Sequence, residues 1–173
     1  MNQVKWFERN FDFNVTDEVF PSVLERLQST PIRLEEKCKA IPTNFLSVSI
    51  SGTWTIKENI GHLADLESLW QGRFEDIVRG NEELRATDLQ NKKTELANHN
   101  GKPLNELMAT FRQLRSQTLA MLENVDGSDL SKSSLHPRLK KPMRIPDLFL
   151  FVAEHDDHHL ARITQLVKIM KEQ

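Results

Sequence analysis

LFVAEHDDHHLARI, residues 150–163, decides the fold class. Around it Leu148, Phe149, Val152, Ile163, Leu166, Val167 and Met170 recur every three to four positions, the period of a helix with one buried face. His155 and His159 fall inside that apolar arc, four residues apart, so their rings stack one turn apart on the inward side. His158 points to the edge of the arc. Pro146-Asp147 marks the helix start, with proline in the first turn and an acid at the positive end of the dipole. The helix runs to about Lys171.

Working back along the chain, three more helices are predicted. One spans about Val19 to Lys39; Pro21 suits its first turn, Pro31 should kink or restart it, and Ile41-Pro42 ends it. The next begins at Thr55-Ile-Lys-Glu58, which has capping-box spacing, and runs to about Arg79, where Gly80-Asn81 closes it. Residues 81–103 form a long polar link with a short helix expected near Thr94–Asn98; long loops often carry function. Another helix follows Pro103, its seam read as Leu104, Leu107, Phe111, Leu114, Thr118, Met121 and Val125. Residues 128–145 are irregular, because His136-Pro137 and Lys141-Pro142 exclude a regular helix. With no strand alternation, the expectation is an all-α, antiparallel four-helix bundle forming a single domain over residues 1–173, with its long link between helices two and three.

Composition narrows the function classes. The 173 residues are 38% hydrophobic and 28% charged with a net charge of −2, so no basic excess points to nucleic acid or to an anionic membrane. The lone Cys38 allows no intrachain disulfide and has no histidine beside it in sequence, which argues against a nucleophile. No apolar run is long enough to span a membrane, and the opening MNQVKWFERNFDF lacks the apolar core of a secretory signal. A soluble cytoplasmic protein is expected.

The second helix contributes the third inward imidazole. Its arc holds Ile56, Ile60, Leu63, Leu66, Leu69, Trp70, Phe74 and Ile77, with His62 toward one side of it. One histidine on one helix and a pair on another can meet at a point, as metal sites in bundle cores do. Neutral imidazole suits zinc, nickel, iron or copper, and three protein nitrogens leave positions for water or substrate. Asp156 points into the arc, an unusual place for a carboxylate. It either orients a histidine or holds Asn59 or Trp54, or it is a water-linked structural acid. Asp65 lies one turn beyond His62 and can reach the site rim, and Glu58 is the capping residue. Arg73 and Arg162 border the arcs and can meet an anionic group at a pocket mouth, or simply keep their heads in water. Trp54 and Trp70 read as core aromatics. His99 and His136 lie in loops and are expected to be solvated, unless one reaches in as a ligand from a lid.

WTIKENIGHLADLESLW (residues 54–70) and LFVAEHDDHHLARI together resemble the DinB-like (YfiT-type) metal-binding four-helix-bundle family. FPSVLERL (20–27) and HPRLKKPM (136–143) extend the likeness loosely over nearly the whole chain. The resemblance implies an up-down-down-up bundle and a metal site made of His62, His155 and His159. It also implies zinc or nickel as the ion, with iron or manganese as further options, and often a homodimer. The family includes thiol-dependent S-transferases and a maleylpyruvate isomerase. The expected function is therefore a divalent-metal-dependent enzyme acting on a small molecule, foremost an S-transferase using a low-molecular-weight thiol, with Arg162 as a contact for the cofactor's anionic group. The alternatives are a metal-dependent hydrolase and a non-catalytic stress-response module that binds metal or ligand.

Overall fold

Thr55 opens the second helix by the reciprocal capping its spacing predicts. Its hydroxyl accepts from the Glu58 N–H at 3.1 Å, and the Glu58 carboxylate accepts from the Thr55 N–H at 2.8 Å. The computed structural model describes residues 3–172. Its helices are α1 (Phe20–Lys39), α2 (Ile56–Val78), a short α3 (Lys92–Leu96), α4 (Leu104–Glu123) and α5 (Ile145–Glu172). Among the described residues no helix is long and apolar enough to cross a membrane.

The four long helices close into a ring in which α4 and α5 each pack on both α1 and α2. Their side-chain contacts fix the directions. Asn59, Trp70 and Phe74 of α2 meet His159, His155 and Phe149 of α5 in descending order, so these two run antiparallel. Glu67 and Gln71 of α2 meet Arg115 and Thr118 of α4 in ascending order, so these two run parallel. Arg26 and Lys37 of α1 meet Asp157 and Thr164 of α5 in parallel, whereas Leu27 and Glu35 meet Arg115 and Arg112 of α4 antiparallel. The order is up, down, down, up. Because α4 repeats the direction of α2, the chain must first travel back along a helix roughly 34 Å long. That return accounts for the long link between them, which crosses α2 as α3.

Pro31 does not kink or restart α1, contrary to the sequence expectation; the helix runs unbroken through it. Proline removes the N–H that would bond the carbonyl four residues earlier, here Leu27. That carbonyl accepts instead from Arg115 Nη1 at 3.1 Å. The same guanidinium donates to Glu67 Oε1 from Nε at 2.9 Å and from Nη2 at 2.6 Å, and to Asp156 Oδ2 from Nη1 at 2.7 Å. All three charged groups are buried. Burial pulls the Arg115 pKa down, but Asp156 and Glu67 more than reverse this and leave it raised. One side chain of α4 thus touches the other three long helices. The inner stripe of α4 is accordingly Leu107, Met108, Phe111, Arg115, Thr118 and Leu122; Leu114, Met121 and Val125 of the predicted seam lie at its edge.

Two short strands were not foreseen. β1 (Ser133–Leu135) and β2 (Pro142–Arg144) pair antiparallel, with Ser134 opposite Met143, and Met143 is buried in the core. The prolines there exclude a helix but leave room for three-residue extended pieces. Ahead of α1, Phe11 and Val15 are buried and Trp6 packs on the same core, so the segment before the first helix covers one end of α5.

Replacing Arg115 by Met leaves two carboxylates buried without their counter-charge. Unfolding in urea is expected to show a loss of about 3–5 kcal/mol. Adding Glu67→Gln and Asp156→Asn should restore a large part of it.

Candidate metal centre

His62 comes from α2, and His155 and His159 come from α5, where the antiparallel pairing sets them face to face. All three are buried, and one nitrogen of each lies within 4.8 Å of the others. The His155 and His159 Nε2 atoms are 3.2 Å apart. Two imidazole nitrogens bound to one ion at about 2.0–2.1 Å sit about 3 Å apart, so the spacing suits a shared ion.

Hydrogen bonds fix the tautomers of two rings. Thr94 of α3 gives its hydroxyl proton to Asp65 Oδ2 at 2.8 Å, so its oxygen must accept from His62 Nδ1, 2.9 Å away. Asn59 donates its amide to the Thr55 carbonyl at 2.7 Å, so its oxygen accepts from His159 Nδ1 at 2.8 Å. In both rings Nδ1 carries the proton and Nε2 keeps a lone pair, the form that binds a metal. His155 Nδ1 is buried with no partner. Burial lowers the His62 pKa to about 4 and holds those of His155 and His159 well below the usual value, so all three stay neutral near pH 7. Three adjoining neutral imidazoles, two of them with Nε2 fixed as an acceptor and the third with Nδ1 unpartnered, have no acid among them. A divalent cation fits this donor set.

Asp65 is held in turn by His99, whose Nε2 lies 2.8 Å from Oδ2, and by Lys93, which donates to the Asp65 carbonyl at 2.7 Å. Gly61 makes room for this: a Cβ there would lie 2.3 Å from the His99 ring. A glycine inside a helical pattern, beside a histidine, is the one sequence signal for this support. Thr94, Asn59 and His99 carry no local signal of their supporting role, because their partners lie 32, 100 and 34 residues away.

The imidazoles open onto a cavity of about 300 Å³. Trp54 lies against His62 with ring centres 4.6 Å apart, and Trp6 lies edge-on to His155 at 5.0 Å. Trp54 is therefore a cavity wall rather than a core aromatic, whereas Trp70 is both. Arg162 lines the rim and donates to Thr53 Oγ and Gln165 Oε1 at 2.8 Å each. His158 stands beside it at the edge, accepting from Gln3 at Nδ1. The expectations for Asp156, His99 and His136 need correction, whereas that for Cys38 does not. Asp156 pairs with Arg115 and touches neither a histidine nor Asn59 nor Trp54. His99 and His136 are buried rather than solvated, and neither joins the three-histidine cluster. Cys38 is buried within α1, and burial pushes its thiol up to about 11, which keeps it unreactive.

The family model described as the DinB superfamily matches residues 23–163. YfiT of Bacillus subtilis, named as a candidate metal-dependent hydrolase, is 23% identical over 155 residues, covering 85% of this chain and 83% of its own. A similarly named protein of Oceanobacillus iheyensis is 25% identical over 163 residues, 93% of each chain. The structure of Bacillus subtilis YfiT, described as having an unusual four-helix-bundle topology, matches with a TM-score of 0.80 at 22% identity over 95% of this chain and 94% of that one. A mycothiol-dependent maleylpyruvate isomerase matches with a TM-score of 0.65 at 10% identity, over 82% of this chain and 59% of its own. At such identities the structural likeness is one of fold.

Two outcomes follow from the geometry. Gly61→Ala should displace His99, loosen Asp65 and Thr94, and weaken zinc binding about 10–100-fold in competition with a chelator, the usual loss on disturbing a ligand's support. The metal-free protein should also weaken in mild acid. The folded-state pKa of His62, about 4, lies below its ordinary 6.5, so between those values the unfolded chain holds a proton that the folded one refuses. Stability then falls as pH drops, by up to about 1.4 kcal/mol per pH unit for each such histidine. Urea midpoints at pH 7.5, 6.5 and 5.5 measure the slope, and saturating zinc should raise stability throughout.

Proposed function

The chain belongs to the DinB superfamily, and we propose that within it this protein is a metal-dependent thiol S-transferase acting on a small molecule. The observation that carries the reading is the trio of neutral imidazoles, two with Nε2 fixed as an acceptor, at the inner end of an aromatic cavity. His62, His155 and His159 would hold the ion; zinc or nickel follows the family resemblance, imidazole also suits iron, and manganese, which favours oxygen ligands, fits this donor set less well. A bound divalent cation supplies Lewis acidity, which lowers the pKa of a coordinated thiol or water.

The chain's own groups prepare the reaction. Trp6, Trp54, Trp70 and Phe151 form apolar walls that exclude water and hold an electrophile's body by area and stacking. Arg162 at the rim faces the cavity mouth and would contact the thiol cofactor's anionic group. In the transfer, a sulfur–carbon bond forms on the electrophile, its bond to the leaving group breaks, and the thiol proton passes to water. The protein would work as one domain over residues 1–173, and as a homodimer by the same resemblance.

Hydrolysis is the second reading, favoured by the names its relatives carry. Thiol transfer is preferred because the only carboxylate lining the cavity among the described residues is Asp88. That group is taken up by the backbone N–H groups of Gln90 and Lys92, at 2.9 and 2.7 Å. A hydrolase on this scaffold would have to use a cavity histidine such as His158, whose Nδ1 already accepts from Gln3, to take the proton of an attacking water.

Zinc-loaded protein should conjugate a bimane or chloro-dinitrobenzene electrophile with a small thiol about a hundredfold faster than its His159→Ala variant. Equal rates for the two would reject the S-transferase. Ester cleavage without thiol, rising with pH near neutrality, would establish the hydrolase in its place.

A further inference from the structure

The cavity has a second polar end, away from the imidazoles. Arg73 of α2 lines it with only 1% of its surface exposed. Its Nε donates to the Arg85 carbonyl at 3.1 Å and its Nη1 lies 3.1 Å from His136 Nε2, but its Nη2 is buried with no partner. Asp76, the acid one turn along on the same helix, is taken by Arg85 through its backbone N–H, Nε and Nη2, each at 2.9 Å. Arg73 is therefore a buried guanidinium without an ion-pair partner, an expensive arrangement unless something completes it.

Its neighbours add donors rather than acceptors. His136 Nδ1 lies 3.2 Å from the N–H groups of both Arg138 and Leu139. Whichever ring nitrogen of neutral His136 carries the proton, that proton faces another donor: Arg73 if it is on Nε2, the backbone if it is on Nδ1. Burial lowers the His136 pKa to about 3, and the charges of Arg73 and Arg138 add to this, so the ring stays neutral. The half-buried Arg138 lies over the Phe7 ring at 5.1 Å and also lines the cavity. The corner has surplus N–H groups and positive charge; among the described residues no carboxylate pairs with Arg73 or Arg138, and Asp76, which acts on Arg73 from a distance, is already held by Arg85.

Aromatic rings join this corner to the three imidazoles. The Arg73 guanidinium carbon lies 5.6 Å from the Trp70 ring, and Trp70 lies 5.7 Å from His155. On the other side Phe151 lies 5.5 Å from His136 and 6.1 Å from Trp70. One layer of apolar rings therefore separates a donor-rich end from an acceptor-rich end.

We infer that Arg73, Arg138 and His136 form a carboxylate subsite, and that its ligand is a small carboxylate with an apolar body. That body lies along Trp70 and Phe151 and points its other end at the imidazoles. Two guanidinium groups can bind a carboxylate through charge-assisted hydrogen bonds, and the free Nη2 gains the acceptor it lacks. The carboxylate belongs either to the thiol cofactor or to the electrophile. That assignment rests on the transferase reading, whereas anion binding at this corner does not.

The probe is phenylacetate, followed by tryptophan fluorescence and by thermal shift on the full chain, zinc-loaded and metal-free. Saturable binding is expected in both forms, about tenfold or more weaker for phenylacetamide and for Arg73→Gln and Arg138→Gln with phenylacetate. Arg138 is half-exposed and holds no element in place, so its variant should fold and carries the test if Arg73→Gln does not. Equal binding of acid and amide would overturn the subsite, as would binding indifferent to Arg138→Gln. Binding that disappears when zinc is stripped would place the anion at the imidazoles and overturn it too.

A second arm identifies the source, using 3-mercaptopropionate and 3-mercaptopropionamide on zinc-loaded protein. An advantage for the acid that Arg138→Gln abolishes assigns the carboxylate to the thiol. No advantage, with phenylacetate still bound, assigns it to the electrophile. Failure of the transferase reading would appear separately, as absent conjugation with this binding pattern intact.

Discussion

The guanidinium of Arg115 is the constraint on which the rest of the bundle depends. It is buried on α4 and reaches Leu27 of α1, Glu67 of α2 and Asp156 of α5. Burying one cation between two acids adds little net stability over a well-packed apolar core, but it makes other packings costly, since any slip leaves a charge without its partner. Burial raises the Glu67 pKa while Arg115 and Thr118 oppose it, so the cluster holds together only with Arg115 in place. Both acids lie close in sequence to proposed ligands: Glu67 follows His62 by a turn and a half, and Asp156 adjoins His155. The brace that chooses the packing therefore also sets the distance between the two helices that carry the imidazoles.

Direction matters as much as distance. Since α2 and α4 run parallel, a segment must return along α2, and it passes beside His62 on the way. The site uses that necessity: Thr94 and His99 on the returning chain tie His62 to Asp65. His159 takes its support from Asn59 at the start of α2, where the capped Thr55 turn is well defined. His155 has no polar support and is held by Trp6 and Trp70 instead. Two ligand candidates are oriented by hydrogen bonds and one by packing, so the site's geometry depends on the segment before α1 as well as on the bundle.

What could be read from the sequence was what is local or periodic. The Thr55–Glu58 cap lies within four residues, and the inward placement of His62, His155 and His159 follows from a repeat of 3.6. The rest depends on partners distant in the chain. Pro31 reads as a break because the group that rescues the Leu27 carbonyl lies 88 residues away. Asp156 was recognisable as misplaced, but its partner was not, because an arginine in the stripe of α4 looks like an interruption of the seam. Three-residue strands are too short to show alternation. His99 and His136 were assigned to solvent because loops usually run over the surface. Here one loop is pressed onto α2 through the space left by Gly61, and the other is closed over by Arg73.

The two ends of the cavity pose the same physical problem with opposite sign. At one end, three neutral imidazoles adjoin, two with Nε2 fixed as an acceptor, and burial keeps them from taking up protons. At the other, a buried guanidinium keeps a donor with no acceptor, beside a histidine whose ring nitrogens both face donors. A fold selected for stability alone would give each end an internal partner; Asp76, which ends paired with Arg85, and Asp156, which ends paired with Arg115, show that acids for the purpose are close at hand. Both ends are left incomplete across one layer of aromatic rings, and the complements proposed for them are a cation at the imidazoles and an anion at Arg73. A cavity built this way would orient a metal and a carboxylate, as proposed above, before either arrives, which is what positioning a reactive group beside a Lewis acid requires.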